Sequence, residues 1–107
     1  MPSRATSQLL HKKLSRLEVA ERVIRLHPRA RFFPAPGQLF DLWHLGVAWG
    51  AKIRSETCTC PHPGGVHVHR YIESGELHAG VTWQAGATLN FDVDKRHRIQ
   101  VSGDLLP

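Results

Sequence analysis

The chain has 107 residues, of which 41% are hydrophobic and 21% charged, and it carries a formal net charge of +5. This composition suits one globular domain over residues 1–107 and excludes an intrinsically disordered chain. Two cysteines are too few for a secreted disulfide framework, and no apolar run is long enough for a secretory leader or a membrane span, so the expected compartment is the reducing cytoplasm.

Residues 7–26 read as a helix. Leu10, Leu14, Leu17, Ala20 and Ile24 recur at steps of three and four, which is one helical face. Thr6 or Ser7 can cap its start, and Pro28 should stop it. The helix is basic. Residues 1–31 hold eight basic and two acidic side chains, whereas the rest of the chain holds six basic and seven acidic ones. Lys12, Lys13, Arg16, Arg22, Arg25, Arg29 and Arg31 are therefore the candidate surface for nucleic acid or an acidic protein surface. The same residues also suit a merely solvated face.

Residues 28–37 hold three prolines and a glycine and form a connector. Residues 38–50 read as a second helix, apolar nearly all round and therefore buried, although Val47, Trp49, Ala51 and Ile53 alternate as in a strand. From 54 to 103 the texture is β. Strands are predicted at 66–72, 77–84, 88–93 and 97–101, with turns at Ser74-Gly75, Ala85-Gly86 and Asp94-Lys95-Arg96. The predicted fold is α+β: two N-terminal helices packed on an antiparallel sheet of four or five strands.

The chemistry-bearing segment is Cys58 to His69. It places Cys58, Cys60, His62, His67 and His69 within twelve residues. Thiolate and neutral imidazole are zinc ligands, commonly four in a tetrahedron. Residues two apart on a strand share a face. A hairpin turning about Pro63-Gly64 would set Cys58 opposite His69 and Cys60 opposite His67, with His62 as the alternative ligand should His69 turn away. Two ordinary reduced cysteines and a few surface histidines fit the same residues.

His67-x-His69-x₃-Glu73-x₆-Gly80 resembles the first metal-binding motif of the cupin barrels. The resemblance spans fourteen residues and implies His67, His69 and Glu73 as ligands of a catalytic metal. Pro61 stands where that motif has a glycine, and no second cupin motif follows Gly80. Glu73, Glu76 and His78 flank one turn and carry acid–base groups. No P-loop, dinucleotide fingerprint or nucleophile elbow occurs.

The expected function is a small zinc-stabilised binding module engaging nucleic acid through its basic N-terminal helix. One alternative is a protein–protein interaction module that regulates or inhibits a larger complex, of the kind borne by phages or mobile elements. The other is a cupin-like or hydrolytic metalloenzyme.

Overall fold

The computed structural model describes residues 6–27, 30, 32–58 and 67–105. In chain order the elements are β1 (Thr6–Lys13), α1 (Arg16–Glu21), β2 (Arg25–Leu26), β3 (Phe40–His44), β4 (Val47–Cys58), β5 (His67–Glu73), α2 (Gly75–Gly80), β6 (Thr88–Asp94) and β7 (Ile99–Gly103). The seven strands form one curled, half-barrel sheet in the order β1-β6-β7-β3-β4-β5-β2. β3 and β7 run parallel, and the other neighbouring pairs are antiparallel. This overturns the expectation of two N-terminal helices on a sheet of four or five strands.

The first predicted helix divides into a strand, one short helix and a second strand. Leu10, Lys12 and Leu14 alternate. Lys12 lies opposite the buried Leu89 and Leu10 opposite the buried Phe91, across a bulge between Gln8 and Leu10. Ser15 then starts α1 with a capping box. Its hydroxyl accepts from Glu18 N at 3.1 Å, and the Glu18 carboxylate accepts from Ser15 N at 3.0 Å. Arg22 ends the helix in the left-handed conformation, at φ 54°. The step-of-three spacing misled because only some of its members are interior: Leu14 and Ile24 are buried, while Leu17 is 54% exposed.

The second predicted helix is a hairpin. Leu45 and Gly46 take φ of 50° and 81°, the double left-handed turn that matches strand twist. Leu42 pairs with Trp49 and Phe40 with Ala51. The alternation of Trp49, Ala51 and Ile53 was therefore the governing signal, with Ala51 and Ile53 in the core.

The strand expected at 77–84 is instead α2, capped by the Ser74 hydroxyl, with Leu77 fully buried at its N-terminal end. The strands expected at 66–72, 88–93 and 97–101 match β5, β6 and most of β7. Asp94 makes the β6–β7 turn. Its carboxylate accepts from the backbone N–H groups of Arg96 and Arg98 and from the Arg98 and Gln100 side chains, all within 2.9 Å. Desolvation pushes that carboxyl up, and the four donors outweigh it and hold it far below its ordinary value.

The core lies in the concave face of the sheet, centred on Phe91, Leu42, Leu89, Ile53, Ile72 and Ile24. Phe33, from the connector, seats its ring edge-on to Phe91 at 5.7 Å.

β1 and β2 are opposite edges of the sheet, yet α1 joins them directly. Glu18 is the clasp. It is 2% exposed, and its carboxylate takes the Lys12 ammonium of β1 at 2.8 Å and Arg25 N of β2 at 3.0 Å. Burial pushes the Glu18 carboxyl up, but the Lys12 ammonium and the N–H groups of Arg25 and Ser15 outweigh this and hold it below its ordinary value.

Glu18→Ala is expected to lower unfolding stability by about 3–5 kcal/mol, because it strands a half-buried lysine and opens three hydrogen bonds at once. Leu17→Ser should change it by less than about 0.5 kcal/mol, as for an exposed position. Chemical denaturation of both variants checks this, and equal losses would overturn the described edge closure. The Glu18 contribution should be complete above the ordinary glutamate range and lost as pH falls through the lowered folded-state value, a loss absent in Glu18→Gln.

Candidate functional site

Beyond Ala51, β4 leaves β3 behind and runs on with β5. Alternate rungs of this two-stranded ribbon are Lys52–Glu73, Arg54–Tyr71, Glu56–His69 and Cys58–His67. Among the described residues β2 covers part of its outer edge, at Arg70 and Tyr71. Its first two rungs are charged and cross-linked. Glu73 takes Arg54 at 3.1 Å and Lys52 at 3.9 Å, and the Arg54 guanidinium lies 4.8 Å from the Tyr71 ring centre.

β4 and β5 pair antiparallel, as the expected hairpin requires, with a register two residues from the expected one; the expected turn at Pro63-Gly64 lies outside the described residues. Cys58 stands opposite His67, not His69, and Glu56 takes the place opposite His69. His67 is taken by Cys58, so the expected Cys60–His67 rung does not form, and Cys60 and His62 lie outside the described residues. Among the described residues no three His, Cys, Asp or Glu side chains converge on a metal-sized point.

His69 is otherwise engaged. The Arg25 guanidinium donates to its Nδ1 at 2.8 Å. A ring nitrogen that accepts carries no proton, so the neutral ring holds its proton on Nε2. Neither nitrogen then offers a free lone pair to a metal. In this arrangement His69 is a partner of Arg25. The cupin-like trio fares no better. Glu73 is two rungs from His69 and is held by Arg54 and Lys52. Nor do Glu73, Glu76 and His78 form an acid–base group. Glu76 accepts from Gly50 N at 2.9 Å, and His78 Nδ1 donates to the Ser74 carbonyl at 2.8 Å.

The basic residues are redistributed by the fold. They do not line one helix face. Lys12 points inward to Glu18. Lys13, Arg16 and Arg22 are exposed and make no ion pair among the described residues. Arg25 is half-buried against His69. Arg29 and Arg31 lie outside the described residues.

The seam between the two sheet edges is itself a cleft of about 480 Å³, lined by His11, Lys12, Lys13, Arg25 and His27 around Glu18. His11 is oriented by Asn90 of β6, whose side-chain oxygen takes its Nδ1 proton. Three cationic and two imidazole side chains thus share the cleft with one carboxylate, which is buried and saturated by Lys12, Ser15 N and Arg25 N. The edge-to-edge cleft, with His11 and His27 in it, was not foreseen. The only sequence signal for it was the Ser15-x-x-Glu18 capping box, which divides the apparent long helix.

No protein-family model matches the chain, and no match was found among curated proteins or solved structures. No helix among the described residues is long and apolar enough to cross a membrane.

Proposed function

We propose that this chain is a small nucleic-acid-binding β-module whose contact surface is the seam between β1 and β2, with a zinc ion stapling the end of the β4–β5 ribbon. The observation that carries the reading is the composition of the cleft: five nitrogen-bearing side chains around a carboxylate already consumed by the fold. A saturated, buried carboxylate repels an incoming anion less than a free one. Lys13 in the cleft, with Arg16 and Arg22 on and just after α1, supplies exposed charge for phosphates. The binding element is thus a seam between strands, replacing the basic helix expected from sequence. Such contacts release counterions and carry no sequence readout of their own.

The zinc reading rests on the end of the ribbon. A two-stranded ribbon with open edges is marginally stable by itself. In its last described pair Cys58 stands opposite His67 in register, and the sequence carries a second cysteine and a further histidine, Cys60 and His62, between them. Four protein ligands close the shell of a structural zinc.

Mixed-sequence DNA and RNA oligonucleotides should bind the full chain with an affinity that falls steeply with salt. Lys13→Ala with Arg16→Ala should weaken binding uniformly and lower the salt slope by about 2. Salt-independent binding, or no shift with either nucleic acid, would overturn this; recovery of a stoichiometric acidic protein after nuclease treatment would replace it.

For the metal, protein prepared without chelator should hold about one zinc per chain. Cys58→Ser with Cys60→Ser should remove it, and His69→Ala should leave it in place. A zinc content below about a tenth of an equivalent would remove the zinc proposal. Loss of zinc in His69→Ala would restore His69 to the ligand set.

A further inference from the structure

A second cleft, of about 450 Å³, opens between the β3–β4 turn and α2. Its chemistry is opposite to that of the basic seam. Leu45, Val47, Trp49, Ala79 and Gly80 form apolar walls, and the polar side chains among its lining are His44 and Glu76. Trp49 is held between two neighbours. Its ring centre lies 4.9 Å from that of His44, and a Cβ at Gly80 would stand 3.9 Å from its Cη2. Leu45 and Val47 on the rim are 87% and 57% exposed, so the apolar surface is open to a ligand.

Both polar groups are acceptors. His44 Nδ1 lies 2.9 Å from the Val101 carbonyl oxygen. A carbonyl only accepts, so Nδ1 carries the proton and Nε2 of the neutral ring carries a lone pair. Glu76 accepts from Gly50 N at 2.9 Å, which fixes the carboxylate against β4 without neutralising it. No cation pairs with Glu76 among the described residues. The indole adds an electron-rich face. The lining thus offers one full negative charge, a second acceptor and an aromatic surface. It offers a ligand no cationic side chain, in a chain whose net charge is +5.

We propose that this cleft binds an organic amine: an ammonium head donating to Glu76 and an apolar body lying against Trp49. The volume falls within the range of small-ligand sites. The Glu76 carboxylate, with no cation paired to it among the described residues, selects a charged donor.

The test compares 2-phenylethylammonium with its neutral counterpart 2-phenylethanol on the full chain. The Trp49 indole N–H resonance is followed, assigned with Trp49→Phe. The amine should bind about tenfold more tightly than the alcohol. Glu76→Gln keeps an acceptor for Gly50 N and removes the charge. It should bring the amine down to the affinity of the alcohol and leave the alcohol unchanged, with the backbone amide spectrum intact. Equal binding of the two by the wild type would overturn the proposal. So would an amine preference that survives Glu76→Gln, or a Trp49 signal unmoved by about 10 mM of either probe.

Discussion

The described architecture depends on a single carboxylate. A sheet whose first two strands sit at its opposite edges needs something to hold those edges near one another. The chain supplies six residues of helix and a buried glutamate. Glu18 bonds to Ser15 at the head of its own helix, to Lys12 on one edge and to Arg25 on the other. A charge inside a protein is tolerable only when its hydrogen-bonding capacity is filled. Here the filling groups come from both sides of the seam, so the electrostatic need of one side chain and the curvature of the sheet are satisfied by the same contacts.

The basic seam inherits its character from this arrangement. The seam gathers basic residues because β1 and β2 both come from the basic N-terminal third, and curling brings them together. Arg25 then links the seam to the ribbon. Its backbone N–H serves Glu18, and its guanidinium reaches His69 on β5. The amine cleft has a separate origin. The tight β3–β4 turn carries apolar residues out past the sheet, and α2 sets Glu76 beside them.

The β-rich half was legible because its strands are short alternating runs between recognisable turns, as with β5, β6 and β7. The N-terminal half was not. Leu10, Leu14, Leu17, Ala20 and Ile24 fit a helix by spacing, and spacing alone does not say that Leu17 faces solvent. Ser15 and Glu18 held the correcting signal, a helix start in the middle of the apparent helix. Residues 40–53 show the usual ambiguity of an apolar run, in which composition suits a buried helix and alternation suits a hairpin. In the Cys58–His69 segment the antiparallel pairing of the flanking strands was legible, but its register was not. Register follows which residues are interior, and Ile53 opposite Ile72 fixes it from the far end of the ribbon. No sequence feature announced that Arg25 would claim His69, because that contact joins residues 44 apart.

Lys12 has one more consequence. An outermost strand presents open backbone groups to any other extended chain, and proteins suppress that pairing by turning a charged residue inward from such a strand. Lys12 does this on β1, opposite the buried Leu89. While Glu18 holds the ammonium, the charge is harmless to the fold. A foreign strand that displaced α1 would bury the lysine without its carboxylate. The contact that curls the sheet therefore also guards the seam against self-association.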